Sequence, residues 1–439
     1  MVCVWSATLC NDDRQSFANL DAGEAGAVVW EISSDAVIAY VHASADFGHQ
    51  LLVALSRTIR AQSKIIRAVG IDSPGGARTS TESAQPPTTT TTTTPSPQEP
   101  QRIRVAFFDS SQWTLDAFSD DKYKQALDMS FFRQRLSRET VNLAIGFPVI
   151  CCFVNDDLSG EILQRLSEMG VKLVALRCAG FDRVSVRHAQ AFGITVARVP
   201  AYSPNAVAEH ALALLMALNR KLHRAYNRTR DGNFLIDGLV GVDLYGKTAG
   251  VIGTGRIGKC LIDALLGLGC RVLCYDVYQA PEIVALAPRA TYVSLDELYH
   301  QSDVISIHAP LTPNTRAMIN AESIAKMKHG VMLVNTSRGG LIDSRALLDA
   351  LKSGKIKAAG LDVYENEGAY FFNDCSDTLV ADDVLRELLA LKNVLVTSHQ
   401  AFLTAEALEN IANTTLVNIL EWAHGHVEAE HPNSIYAKL

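Results

Sequence analysis

The stretch AGVIGTGRIGKCLIDALLGLGCRVLCYD, residues 249–276, decides the fold. It opens on an apolar run, Ala249–Ile252, that reads as a buried strand. Gly253-Thr254-Gly255-Arg256-Ile257-Gly258 follows, then a helix expected over Arg256–Leu268 and a strand over Arg271–Tyr275. A lone GxGxxG is weak, since glycine-rich turns are common. Here a strand and a helix flank it, and Asp276 comes 18 residues after Gly258. That is close to the roughly 20 expected between a dinucleotide fingerprint and its ribose-binding acid. In this reading Gly253 permits the tight turn, Gly255 lets backbone N–H groups approach a pyrophosphate, and Gly258 lets helix pack on strand. The helix N-terminus adds unpaired N–H groups and a partial positive charge. Asp276 would accept from ribose hydroxyls and repel a 2′-phosphate. Val277 and Tyr278 supply no compensating cation, so NAD is expected over NADP.

Outward from this stretch, strands are expected at Val304–His308, Val331–Asn335, Lys357–Leu361 and Val394–Thr397, with helical stretches between most of them. Such alternation implies a parallel sheet with helices on both faces. A long helix precedes it. Ser203 can cap this helix and Pro204 suits its first turn. Apolar residues recur at Ala208, Ala211, Leu212, Leu215, Leu218 and Leu222, and Arg220, Lys221, His223 and Arg224 suit the negative end of its dipole. The helix is expected to join two domains. Before it, strands at Ile103–Phe108, Val149–Val154 and Leu173–Leu176 indicate a smaller α/β domain.

Residues 73–101 read as a linker, with seven consecutive threonines, Thr88–Thr94, among prolines. Such a segment buries too little apolar surface to offset its ordering entropy. Residues 1–72 carry no motif that assigns a role and read as an extension. Within them Leu51–Val69 places Arg57, Arg60, Lys64 and Arg67 at helical spacing, as a mitochondrial presequence can. The segment is not N-terminal, however, and acidic residues precede it.

The 439 residues are 48% hydrophobic and 20% charged, with a net charge of −7. These values fit a globular protein and argue against a nucleic-acid surface or anionic membranes. No apolar run reaches the about 18 residues a transmembrane helix needs. The nine cysteines show no paired zinc spacing and read as reduced thiols. No metal is expected. A cytoplasmic location is expected, with mitochondria as the alternative.

Three polar residues fall at or just after the C-terminal ends of expected strands, where ligands bind in open α/β sheets. They are Arg338 in NTSRGG, Glu367 in LDVYENE and His399 in SHQAF. A guanidinium grips a carboxylate through a planar fork. A histidine can protonate a carbonyl oxygen and later recover the proton. A carboxylate beside it orients the ring and favours imidazolium. Singly, each has a plainer reading: a surface ion pair, a solvated loop acid and a satisfied buried imidazole.

From about Arg102 onward the chain resembles the D-lactate dehydrogenase group of the D-isomer-specific 2-hydroxyacid dehydrogenase family. The segments that carry the resemblance are LRCAGFD (176–182), VPAYSPNAVAEH (199–210), GTGRIG (253–258) and DVISIHAPLT (303–312). VNTSRGGLID (334–343), LDVYENE (361–367) and SHQAFLTAEA (398–407) complete the set. The resemblance implies a doubly wound Rossmann domain, residues 203–399, and a smaller discontinuous α/β substrate domain, residues 102–202 plus 400–439. It implies NAD-dependent interconversion of pyruvate and D-lactate by a homo-oligomer, dimer or tetramer. A bulkier 2-keto acid, or a corepressor-like protein that senses NAD, are the alternatives. By resemblance Arg338 binds the substrate carboxylate, His399 is the acid/base, and Glu367 rather than Glu365 is its partner. Ala179, Gly180, Tyr202 and Phe402 contact substrate. Arg256, Ile257, Ala309, Pro310, Thr315, Thr336, Ser337 and Asp362 join the glycines and Asp276 as cofactor contacts, with Asp362 near the nicotinamide amide. His308 falls in the cofactor-lining turn and is assigned to structure, and His210 to the helix surface or packing. Ser185 stands where relatives usually have Asp, and either residue can cap the next helix.

Overall fold

The computed structural model describes residues 102–436. The readings of residues 1–101, with their basic segment and Pro/Thr linker, lie outside the described residues. The chain from Arg102 forms two parallel sheets flanked by helices. The first contains β1 (Ile103–Phe107), β2 (Leu127–Phe131), β3 (Val149–Cys152), β4 (Leu173–Leu176) and β5 (Thr195–Ala197), in the order β2-β1-β3-β4-β5. The second contains β6 (Thr248–Ile252), β7 (Arg271–Tyr275), β8 (Ala290–Tyr292), β9 (Val304–Ile307), β10 (Val331–Asn335), β11 (Ile356–Leu361) and β12 (Val394–Val396). Its order, β12-β11-β10-β9-β6-β7-β8, is doubly wound and reverses direction between β6 and β9. The first sheet reverses between β1 and β3. Crevices open outside the strand ends at such points.

β3, β4, β9 and β10 are buried along their whole length. This explains their runs of Val, Ile, Leu and Cys instead of alternation. Each fully buried aliphatic or aromatic side chain contributes roughly 1.5–3 kcal/mol. Helix Ala405–Ala423 packs Ala412, Leu416 and Ile419 against Val105, Phe107, Val149 and Leu173 of the first sheet. Asn418 Nδ2 donates to Arg198 O at 2.9 Å and fastens this helix to the chain after β5.

Two details differ from the sequence reading. The long helix spans Pro204–Asn219, capped by Ser203 Oγ. It stops there because Lys221 adopts a left-handed conformation (φ 52°) before a second helix, Leu222–Arg230. Asn219 also turns its amide into the following segment, donating to Val242 O (2.7 Å) and accepting from Val242 N (3.0 Å). The basic cluster therefore begins the second helix instead of closing the first. Ser185 stands at the N-cap of helix Val186–Ala191, but its side chain makes no capping bond. Its hydroxyl pairs with His188 Nδ1 at 2.7 Å instead.

The seven described cysteines are free thiols, four of them buried. Among the described residues no helix is long and apolar enough to cross a membrane, and no cluster of His, Cys, Asp and Glu could hold a metal ion.

Candidate active site

The C-terminal ends of both sheets converge on one cleft. β6 delivers Gly253 with φ +92°, a backbone region that L side chains rarely adopt. A Cβ on Gly253 would also lie 2.5 Å from Ala309 N. A Cβ on Gly258 would lie 2.0 Å from Gly253 O, so helix Arg256–Gly267 can approach β6 only through glycine. A Cβ on Gly255 would meet nothing within 4 Å. That open space lies at the helix N-cap, where no side chain takes the free N–H groups. Thr336 Oγ1 is buried and unpartnered nearer the cavity. An open helix N-terminus and an orphaned hydroxyl suit a dinucleotide.

Asp276 ends β7. Its Oδ2 accepts from Thr254 N (2.6 Å) and Thr254 Oγ1 (3.2 Å), and Oδ1 from Tyr278 N (3.3 Å). It therefore also fixes the glycine loop. Val277 and Tyr278 beside it are exposed and uncharged. Thr315 Oγ1 donates to Pro310 O (2.7 Å) and Ser337 Oγ to Ala309 O (2.6 Å). Both hydroxyls thus shape the turn at Ala309-Pro310.

A cavity of about 120 Å³ lies between the sheets. Ala179, Gly180 and Tyr202 line it with Ile257, Thr336, Ser337, Arg338, Asp362, His399 and Phe402. Phe153 and Phe402 wall one side and Trp113 packs behind them, edge to face or tilted, with ring centres 5.2–5.7 Å apart. Burial pushes the Tyr202 hydroxyl up to about 12, so it stays a neutral phenol.

His399 follows β12 with φ 52°, fixed by its N–H donating to Asp362 O at 2.8 Å. Its Nδ1 lies 2.7 Å from Glu367 Oε1. Glu367 sits behind it, 8% exposed, in the short turn Glu367–Ala369. Its second oxygen, Oε2, accepts from Tyr364 N at 3.1 Å. Glu365 is exposed. With Nδ1 engaged, Nε2 is the ring atom free for the cavity.

Arg338 follows β10. Its Nε donates to Asp182 Oδ1 (3.0 Å) and its Nη1 to Ser337 O (2.8 Å). Nη2 lies over Gly180, where an added Cβ would be 1.6 Å away. Two of the three guanidinium nitrogens are thus held by protein, and Nη2 is directed at the residues lining the cavity. Burial alone would raise the Asp182 carboxyl, but the Arg338 charge and hydrogen bond outweigh it and hold it below the usual carboxylate range.

A family model described as D-isomer specific 2-hydroxyacid dehydrogenase, NAD binding domain, matches residues 212–401. The chain is 49% identical over 317 residues to the D-lactate dehydrogenase of Escherichia coli, covering 72% of this chain and 96% of that protein. The chain belongs to the D-isomer specific 2-hydroxyacid dehydrogenase family. It is 50% identical over 325 residues to a 2-hydroxyacid dehydrogenase homolog of Haemophilus influenzae, covering 74% of this chain and 98% of that one. Among solved structures, the pyruvate reductase of Chlamydomonas reinhardtii matches with TM-score 0.69 and 48% identity, over 74% of this chain and 97% of that one. The protein is therefore an NAD-binding oxidoreductase acting on CH–OH groups.

In this dehydrogenase Asp362 serves the His399 loop. Its carboxylate, 0% exposed, accepts from Thr397 Oγ1 (2.5 Å), Gln400 N (2.9 Å) and Ala401 N (2.9 Å). His210 Nε2 stands 3.4 Å from the same carboxylate and 3.1 Å from Thr397 Oγ1. Burial works against this charge, but hydrogen bonds from His210 and Thr397 lower the carboxyl below its ordinary value. A nicotinamide amide would have to share an oxygen already engaged. His210 thus packs into a polar network under the His399 loop, the packing alternative of the two expected for it.

His308 also lines the cavity, 2.8 Å from Ser306 Oγ, but burial pushes it down to about 4. It is neutral near neutral pH and has no proton of its own charge to give. Sequence reasoning gave no role to Asp182, Trp113 or Phe153. Asp182 was visible in LRCAGFD, but nothing in the sequence pairs it with Arg338.

Proposed function

We propose that this dehydrogenase reduces pyruvate to D-lactate and catalyses the reverse reaction. The observation that carries the proposal is the His399–Glu367 pair, 2.7 Å apart, bordering the same cleft as Arg338. NADH, when bound along Gly255, Arg256 and Thr336, supplies the hydride.

The chain's own residues do the rest. Arg338 draws in the substrate carboxylate through Nη2, and the backbone of Ala179 and Gly180 receives its other side. His399 Nε2, as imidazolium, hydrogen-bonds the C2 carbonyl oxygen. As C2 gains hydride, the carbonyl π pair moves onto oxygen and takes the Nε2 proton. The alcohol forms and His399 is left neutral. Glu367 keeps the Nδ1 proton oriented and balances the imidazolium charge. Oxidation of D-lactate reverses each movement and starts from neutral His399. Residues 102–202 with 400–439 would form the substrate side, and residues 203–399 the cofactor side.

The aromatic wall and the small cavity favour a small 2-keto acid over a bulky one. A panel of 2-keto acids with NADH tests this. Pyruvate should give the highest kcat/KM, and a branched or aromatic acid exceeding it would refute the assignment.

A homo-oligomer is part of the same proposal. Phe234, Leu235, Ile236, Val240 and Tyr245 are 65–81% exposed along one segment, and contiguous exposed apolar surface marks interaction sites. A cytoplasmic location is supported by the free thiols, which suit a reducing compartment.

A further inference from the structure

The turn that carries Glu367 is held from the opposite sheet. Arg135 lies between β2 and β3, on the first sheet. Its Nη1 donates to Gly368 O and its Nη2 to Phe371 O at 2.6 Å. Both carbonyls lie in the segment after β11, on the second sheet, immediately after Glu367. Neither accepts a backbone hydrogen bond from the turn itself, whose internal bonds run to Tyr364 O, Asn366 O, Glu367 O and Tyr370 O. The third guanidinium nitrogen, Nε, donates to Asp109 Oδ2 at 3.3 Å. The ion pair is largely removed from water, with side chains 20% and 12% exposed.

Asp109 is itself anchored. It follows β1 with φ 47°, donates its N–H to Gln134 O at 2.9 Å, and offers its own carbonyl to the buried Arg177 at 3.2 Å. A left-handed aspartate fixed at both backbone groups is a rigid base for Arg135. On the other side, Phe372 adopts φ 65° directly after Phe371. Its ring centre lies 6.0 Å from the His399 ring and 5.4 Å from Phe153. One guanidinium therefore joins the first sheet to the short segment that presents Glu367 to Nδ1 of His399 and Phe372 to its ring.

We propose that Arg135 is a positioning residue for proton transfer: by bridging Asp109 to the Gly368 and Phe371 carbonyls, it sets the Glu367 carboxylate against His399. The inference rests on the reading of His399 and Glu367 as the proton-transfer pair. Arg135 touches neither substrate nor cofactor, so its removal acts through Glu367. A loosened turn lets the carboxylate drift from Nδ1, and the imidazolium loses its counter-charge. Asp362 faces His399, Arg338 lines the same cavity, and His210 stands beside Asp362. Asp109 faces Arg135, with Arg177 beside Asp109. None of these can replace a fork that engages two carbonyls at once.

The test uses the full chain with Arg135→Gln, Arg135→Lys and Glu367→Gln. It reads the pH profile of kcat in pyruvate reduction, the NADH dissociation constant and thermal unfolding. Arg135→Gln should lower kcat at neutral pH on the order of ten- to a hundredfold, as a misplacement of about 1 Å can. It should also move the alkaline limb of reduction to lower pH, in the direction of Glu367→Gln, with NADH affinity unchanged. Arg135→Lys keeps the charge beside Asp109 but loses the fork, so it should fold and show a smaller shift of the same sign. A wild-type limb in both Arg135 variants, beside a shifted limb in Glu367→Gln, overturns this inference alone. If Glu367→Gln also leaves the limb unmoved, the proton-transfer reading falls and this inference with it.

Discussion

Nδ1 of His399 lies 2.7 Å from Oε1 of Glu367, and the other oxygen of Glu367 is held by Tyr364 N. The carboxylate is therefore fixed beside the ring. On the proposed mechanism reduction starts from imidazolium and should fail as pH rises, whereas oxidation starts from neutral imidazole and should fail as pH falls. Glu367→Gln removes the counter-charge and moves the reduction limb to lower pH, with activity better retained in acid than near neutrality. Stopped-flow pH profiles in both directions check this. An unmoved reduction limb removes Glu367 from the role.

The second cavity histidine separates catalysis from stability. His308 is pushed down to about 4 from its ordinary 6.5 by burial. The neutral ring is the folded form, whereas the unfolded chain takes up a proton near 6.5. The folded state therefore loses stability as pH falls from about 6.5 towards about 4 and gains nothing further above 6.5. His308→Gln should flatten this acid-side loss and leave the pH limbs of turnover in place. His399→Ala should cost several orders of magnitude in both directions, on the order of 10³-fold or more, and keep NADH binding. Equal losses in the two variants would contradict the assignment.

Gly180 and Arg338 are in direct contact. A Cβ at position 180 would lie 1.6 Å from Nη2, so Gly180→Ala must displace the guanidinium. The expected outcome is a rise in KM for the keto acid on the order of a hundredfold. Arg338→Lys keeps the charge but loses the bonds to Asp182 and Ser337 that aim Nη2, and should raise KM and lower kcat together. Steady-state kinetics at saturating NADH read both. Wild-type KM in Arg338→Lys would place substrate recognition elsewhere.

Asp276 carries two jobs, and they can be told apart. Its charge would disfavour a 2′-phosphate, while Oδ2 anchors Thr254 of the glycine loop. Asp276→Ala should narrow the preference for NADH over NADPH in kcat/KM and also weaken NADH itself. Equal use of both cofactors by the unaltered enzyme would exclude the first job.

Much of this architecture is legible in the chain. β6, β7, β9 and β10 announce themselves because burial on both faces demands continuous apolar runs, and Gly253–Gly258 marks the crevice. Edge strands β2 (LDMSF) and β8 (ATY) escape because each is mostly part-buried or exposed and carries polar residues. His399, Glu367 and Arg338 could be placed at one cleft from motif and chemistry. Asp182 and Arg135 could not, because they act across 156 and 233 positions of sequence, and only folding reveals those pairings. The break at Lys221 escaped for a similar reason. It depends on Asn219 finding Val242.

The handedness of the product tests the central claim most directly. Pyruvate and NADH should be incubated with the purified protein and the lactate resolved on a chiral column. Hydride arriving on the face set by Arg338 and His399 should give the D enantiomer almost alone, and L-lactate should not be oxidised in the reverse assay. A product mainly of the L form, or no lactate from an enzyme that binds NADH, would contradict the proposed reaction.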